Sequence, residues 1–590
     1  MGAVPFDDGT SFRVWAPHAT AVSVAGQFNG WSESADPLTH EGNGYWSAFV
    51  SAARPPHQYK FVLAGPFVKT PWKNDPYARE MTSSAGNSVI AEPDRADNPP
   101  EFRTPAWNEL LIYELHVGTF TSDPAGPQGR GTFRSTIGKL DYIRGLGFNA
   151  IQLMASAEFP GDVSWGYDPA NIFAIESSYG GPNGFRDLVD AAHAHGLAVF
   201  MDVVYNHMAD SDLVIWQFDG WNIDDCGGIY FYQDERKRTD WGNNRPDYGR
   251  AEVRQFLRDN AMRWLDQRRC DGLRWDATGQ IRTVYGHDGP GGYDIEDGWR
   301  LMRDINHEID GRFGWKISIA EDMQQNAAVT HTDGAAFDSQ WDAAFVHPVR
   351  AAVETPFDEG RNMSDVRAAI EKRYGNDACA RVVYTESHDE VSNGKTRVPD
   401  AIAHGDAAGY HALKRSTLGA ALVFTVPGIP MIFQGQEFAS AVPFSDALLD
   451  WSAANAGITQ LYRDLAHLRR NWFDDTRGLR GQGLYVLPPN DSAKVIAFQR
   501  WQDHGPGDDV MVILNFSAQS FDHYRLGFPA PGLWRLRFNS DWQGYSATFA
   551  GHASWDVTAD GPPMDGLQTS ADISIGAYTA LVFARDRADR

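Results

Sequence analysis

At 590 residues the chain is too long for one hydrophobic core, and length alone suggests roughly three or four domains. A formal charge of -25 argues against a nucleic-acid polyanion as partner and for a neutral or cationic ligand. The cysteines, Cys226, Cys270 and Cys379, are scattered without CxxC spacing and indicate neither a disulfide framework nor a thiolate zinc site. With no run of about 18 apolar residues and no basic or apolar leader segment in the opening MGAVPFDDGT, the sequence reads as cytoplasmic, with no membrane partner. Twenty Trp, 21 Tyr and 33 Phe suit sugar binding, because glucose presents C–H faces to rings. Barrel packing explains the same composition equally well.

Residues 1–98 alternate apolar and polar positions between turn signals (SFRVWAP, AVSVAGQFNGW, GYWSAFV, QYKFVL), the pattern of a β-sandwich. A Pro-rich charged linker follows at 94–106. From 105 to 478 strands and helices alternate, which predicts a (β/α)8 TIM barrel in an α/β chain. Strands are expected at 111–117, 149–154, 197–205, 270–276, 315–322, 335–346, 381–389 and 429–438. The first return helix shows Phe133, Ile137, Leu140 and Ile143 at helical spacing, and the helix before strand three stops at Gly196. Residues 208–250, rich in Asp-Asp, Gly-Gly and Asn-Asn pairs, form a long insertion of the kind that is usually functional. Alternation returns from about residue 483, and 479–590 is expected to be a C-terminal all-β domain.

Four of the barrel strands end in charge. Strand four runs through Leu273-Arg274-Trp275-Asp276, which places a cation and a carboxylate two residues apart on one face. That pair is either a structural ion pair or the setting of a nucleophile at the carboxyl end of a barrel strand. Strand three ends at Asp202, strand five at Glu321 and strand seven at His388-Asp389. The intervals leave room for one or two strand-plus-helix units of roughly 30 residues each, so four charged ends converge on one mouth.

These stretches, DVVYNH at 202–207, GLRWDAT at 272–278, IAED at 319–322 and SHDE at 387–390, resemble the four signature regions of glycoside hydrolase family 13, the α-amylase family. The resemblance implies Asp276 as nucleophile, Glu321 as general acid/base and Asp389 as the carboxylate that stabilises the transition state. It implies Tyr167, in the loop Ser164-Trp165-Gly166-Tyr167-Asp168-Pro169, as the ring beneath the glucose whose bond is cut. Asp202, His207, Arg274, His388 and Trp165 are implied as substrate-binding residues. Asn206 matches a position that holds calcium in some amylases, but the loop lacks a carboxylate-rich partner set, so neither metal nor cofactor is expected.

The first 98 residues resemble the family 48 carbohydrate-binding module through Trp15-Ala16-Pro17, Phe28-Asn29-Gly30-Trp31 and Asn74-Asp75-Pro76-Tyr77-Ala78. Trp31 and Trp46 are the expected glucan platforms if the module binds, and packing residues if it is a spacer. Ser387 to Val391 with Gly394-Lys395 looks like branching enzymes. Phe159-Pro160-Gly161 and Gln340-Trp341-Asp342 look like maltooligosyltrehalose trehalohydrolases, while Trp275 and Gln436 depart from both patterns. The expectation is a retaining enzyme that cleaves α-1,4-glucosidic bonds of glycogen, starch or maltooligosaccharides, most of all a branching-type transglycosylase. Hydrolysis and non-catalytic glucan binding are the alternatives.

For the acid, a raised pKa is expected from the like charges of Asp276 and Asp389 on Glu321.

Overall fold

The computed structural model describes residues 1–92 and 102–588. The stretch 94–101 of the expected linker lies outside the described residues. Eight parallel strands close into a barrel: β1 (Ile112–Leu115), β2 (Ala150–Leu153), β3 (Ala198–Val203), β4 (Gly272–Trp275), β5 (Ile317–Ala320), β6 (Ser339–Trp341), β7 (Arg381–Val383) and β8 (Ile429–Phe433). A strand covered on both faces needs apolar residues on both, and β3 is buried at every position. The helix Gly181–Ala194 turns Phe185, Leu188, Val189 and Ala192 inward. Gly196, at φ 72, takes the left-handed conformation that ends such a helix.

Every barrel strand is shorter than its expected span, and β6, β7 and β8 lose the most; β7 keeps only Arg381–Val383 of 381–389. The expected strand at 335–346 is reduced to Ser339–Trp341, because Asp342 accepts from Ala344 N at 3.0 Å and caps a helix over Ala343–Glu354. The expected strand at 429–438 stops at Phe433, where Gly435 at φ 86 turns the chain into a short 3-10 segment, Gln436–Phe438. The insertion at 208–250 is folded rather than open: it buries Phe218, Ile229, Tyr230, Phe231 and Tyr232 in the core it shares with the barrel and the N-terminal module, Tyr230 lying 5.5 Å from Trp15 and 5.3 Å from Phe256.

The N-terminal module is a sandwich of two four-stranded sheets. Trp46 belongs to its core, 8 % exposed, with Nε1 donating to Ala16 O at 3.1 Å. Burial thus removes it as a glucan platform. Trp31 is half-buried at the surface, its ring 6.1 Å from that of Trp72. The module is docked on the barrel. Tyr77 packs at 4.5 Å from Phe173 and 5.2 Å from Phe256, and His18 Nδ1 lies 2.8 Å from Asp219 of the insertion. The C-terminal domain has a six-stranded sheet and a two-stranded one, and is tied to the barrel by a buried Lys414–Asp541 pair at 2.7 Å. Among the described residues no helix is long and apolar enough to cross a membrane.

Candidate active site

Strand register assembles the site. Asp202 of β3 lies beside Arg274 of β4, and Arg274 beside Ile319 of β5. Because side chains alternate, Arg274 enters the barrel and Asp276 follows it to the mouth. Arg274 is fully buried, with Nη1 donating to Asp202 Oδ1 and Oδ2 at 2.8 and 2.7 Å and to Asp276 Oδ1 at 3.0 Å. Its Nη2 lies 2.8 Å from Glu321 Oε2. One planar, permanently charged fork therefore holds three carboxylates in fixed relation, which a flexible ammonium would not do. The Trp341 ring lies 4.3 Å from the guanidinium carbon, and the Tyr167 ring 5.7 Å from it.

Asp276 has a second anchor. Asn206 Nδ2 donates to its Oδ2 at 2.7 Å and to its backbone carbonyl at 2.8 Å, so this amide is directed at the carboxylate. Past the strand end, Ala277 sits at φ 40 and ψ 54, a left-handed conformation that costs a residue with a Cβ about 1 to 3 kcal/mol. In that position its N–H donates to Glu321 Oε2 at 2.8 Å. Glu321 has its pKa raised chiefly by burial. Asp276 and Asp389 push the same way and Arg274 opposes them. The like charges expected to dominate are thus secondary to desolvation.

Asp389 stands at the opening, its side chain 44 % exposed. His388 beside it is buried between carboxylates, with Nδ1 2.8 Å from Glu114 Oε1 and Nε2 3.3 Å from Asp389 Oδ2. Burial alone would lower the imidazole, but Asp389 and Glu114 reverse this and push it up to about 9. Tyr167 stacks on the ring at 4.8 Å and donates from its hydroxyl to Asp202 Oδ2 at 2.7 Å. Buried His207, bonded to Asn206 Oδ1, stacks at 4.6 Å on Trp241 of the insertion, which is 48 % exposed. Trp165 lies further out, 4.8 Å from Phe444.

A stability prediction arises from His388. Its pKa is raised from 6.5 to about 9 on folding, so its contribution is complete below the unfolded value and is lost as pH climbs through the folded one. The shift corresponds to about 3 kcal/mol. Melting temperature is expected to fall between pH 6.5 and about 9, and to fall less steeply in His388→Asn. Equal slopes in the two proteins would contradict it.

All nine residues singled out in the sequence lie at the carboxyl ends of the barrel strands or in the loops above them. Several of their partners have roles that the sequence does not indicate, although Asn206 and Trp341 lie in stretches singled out there. Glu114 and Trp341 hold His388 and Arg274, Asn206 holds Asp276, and Trp241 covers His207. Glu114 has a legible signal, a carboxylate inside the apolar strand LIYELHV. Trp241 stands out only as part of Asp240-Trp241-Gly242 in the insertion, and an aromatic in a long loop carries no indication of its neighbour.

The alpha amylase catalytic domain family matches residues 118–216 and 213–464, flanked by carbohydrate-binding module 48 (isoamylase N-terminal domain) at 1–78 and the alpha amylase C-terminal all-beta domain at 485–586. The chain belongs to the α-amylase family. It is similar to the 1,4-alpha-glucan branching enzyme GlgB of Rhodospirillum rubrum, 32 % identical over 94 % of this chain and 77 % of that protein. The same enzyme of Corynebacterium jeikeium is 29 % identical over 99 % of this chain and 83 % of its own length. Among solved structures, the fold is shared with a putative alpha amylase from Salmonella typhimurium, at TM-score 0.73 and 21 % identity over 99 % of both chains. It is also shared with a pullulanase from an Anoxybacillus species bound to maltotetraose, at TM-score 0.75 and 22 % identity over 99 % of this chain and 87 % of that one.

Proposed function

We propose that the protein is a branching-type transglycosylase acting on α-1,4-glucans in the cytoplasm, with neither nucleic acid nor membrane as partner. The observation that carries this reading is the likeness to branching enzymes through module, barrel and C-terminal domain together. In the reaction, an Asp276 oxygen attacks C1 of the glucosyl unit while the bond to the leaving oxygen breaks and that oxygen takes the proton of Glu321. Burial supports this role, since it keeps Glu321 protonated until needed. The acceptor hydroxyl then bonds to C1, its proton goes to Glu321, and the C1–Asp276 bond breaks to restore the carboxylate. Asp389, exposed at the mouth, holds sugar hydroxyls as the ring flattens.

Tyr167, His207, His388 and Trp165 are the proposed substrate contacts. Asp202 and Arg274 are buried and act through their neighbours: Asp202 orients Tyr167, and Arg274 sets the spacing of Asp276 and Glu321 toward the roughly 5 to 5.5 Å of a retaining pair.

Incubation with amylose tests the reading. Loss of iodine colour without new reducing ends is expected. New reducing ends would mean that water takes the intermediate, and no change would leave a glucan-binding protein.

The Trp31–Trp72 surface is the proposed glucan contact of the module. Because the module packs on the barrel through Tyr77 and His18, deleting it would expose an apolar interface, and point substitution is the cleaner test. Trp31→Ala with Trp72→Ala is expected to raise the KM for amylose several-fold while leaving that for maltopentaose unchanged. Parallel changes on both substrates would assign the pair to packing.

A further inference from the structure

Glu114 places a carboxylate inside the barrel, on a strand whose other residues are apolar or aromatic. It lies on β1, in register with Gln152 of β2 and Phe433 of β8, and is fully buried. A carboxylate removed from water needs hydrogen-bond donors and a cation close by. Glu114 meets both in one residue. Its Oε2 accepts from the backbone N–H of His388 at 3.1 Å, and its Oε1 lies 2.8 Å from Nδ1 of the same residue's ring. Gln152 Nε2 adds a longer contact to Oε1 at 3.4 Å.

This double grip fixes the backbone and the ring of His388 together, and so decides what the far nitrogen faces. Nε2 lies 3.3 Å from Asp389 Oδ2. A carboxylate can only accept, so a ring with a carboxylate at each nitrogen is best held when both nitrogens carry protons. The other groups around the ring do not reverse this. Tyr167 stacks at 4.8 Å with its hydroxyl 3.5 Å from Nδ1, and the Trp341 ring stands edge-on at 6.0 Å. His116 is held down at about 3 by burial and brings no charge, while Arg274 opposes a second cation. Asp389 and Glu114 together outweigh Arg274 and burial. Were Nε2 to lose its proton, its lone pair would face the Asp389 carboxylate and turn that side chain toward water.

We infer that Glu114 is a positioning residue for the reaction: by holding His388 at backbone and ring it keeps a proton on both imidazole nitrogens, and the Nε2 proton holds Asp389 toward the sugar. The inference rests on the roles proposed above for Asp276, Glu321 and Asp389. Glu114 itself is sealed from the mouth by His388 and acts only through it. Its effect on turnover is therefore tied to the protonation of His388, which a packing role would not be.

The test follows two quantities in the full-length Glu321→Gln protein, whose native acid would otherwise add its own fall in rate near pH 8. One is the titration midpoint of His388, read by NMR of histidine-labelled protein with His388→Asn identifying the signal. The other is the rate of fluoride release from α-maltosyl fluoride, a donor that needs no acid. The midpoint is expected near 9, with the rate steady below it. Adding Glu114→Gln is expected to move the midpoint toward the ordinary 6.5 and the fall in rate with it, giving about a tenfold deficit at pH 8 that closes below about pH 6. A loss of rate equal at every pH, with the midpoint unmoved, would overturn the assignment, as would a midpoint that moves without the rate. Should Glu114→Gln fail to fold, Glu114→Asp decides the matter. It keeps the charge but draws it back from the ring by one methylene, so midpoint and fall in rate should move down together by less, and a lowered rate with the midpoint still near 9 would overturn the assignment. If Glu321→Gln releases no fluoride at any pH, the roles proposed for Asp276 and Glu321 fail instead, and the midpoint in the Glu114 variants still decides whether Glu114 keeps His388 charged.

Discussion

Asp276→Ala and Glu321→Gln are each expected to lower turnover by about 10⁴-fold or more, the usual cost of removing a group that forms or breaks bonds. Neither change should unfold the barrel. Without Asp276 the buried Arg274 still has Asp202 at 2.7 Å and Glu321 at 2.8 Å. In Glu321→Gln the side-chain amide oxygen would still accept from the N–H of Ala277, which in the native protein donates to the carboxylate at 2.8 Å. The two variants separate by leaving group. An α-maltosyl fluoride donor loses fluoride without a proton, so its first step should return in Glu321→Gln and stay absent in Asp276→Ala. Rapid-quench detection of a covalent sugar on the protein reads this directly. Near-native turnover in either variant on glucan, or equal rescue of both by the fluoride, would sink the assignment of nucleophile and acid.

The charged strand ends were legible because a barrel strand has little freedom. Once Leu273 is buried, alternation fixes where Arg274 and Asp276 point, and parallel register fixes what stands beside them. The interior of the site is less legible, for the same reason that strand six is shorter than its pattern. Ala335 to Val346 (AAFDSQWDAAFV) reads as a strand and its exit, yet Asp342 caps a helix there, and a hydrophobic pattern cannot distinguish buried strand from buried helix over so short a span. Trp46 is a similar case. Its alternation places it on a sandwich face without saying which face is covered, whereas Trp31, in a turn after Gly30, is outside the sheets whichever way they pack. The cause of the Glu321 shift is not readable either. Sequence lists the charges that will meet but not the volume of protein that will exclude water from them, and here exclusion is the larger effect.

Replacing Arg274 by Met is expected to cost about 3 to 5 kcal/mol of stability at neutral pH, the penalty for leaving buried carboxylates without their cation. Asp202 is fully buried and the side chain of Asp276 only 10 % exposed, so water cannot take over the role of the guanidinium. The sign of the pH dependence follows. Burial already raises the Asp202 carboxyl to about 7 against the pull of Arg274, and with the cation gone it rises further, which makes the variant least stable at high pH and progressively closer to wild type as pH falls toward about 4. A cavity or a packing defect has no such dependence, so urea titrations at neutral and acid pH separate the two causes. Arg274→Lys divides the contribution further. It restores a charge but not the two-pronged fork, since a single ammonium cannot occupy both the Nη1 position near Asp202 and Asp276 and the Nη2 position near Glu321. Stability is therefore expected to recover in part while turnover stays low, because the spacing between nucleophile and acid is what the fork maintains. A Lys variant with near-native turnover would mean that charge alone suffices, and would move the source of that spacing from Arg274 to Asn206 and the Ala277 N–H.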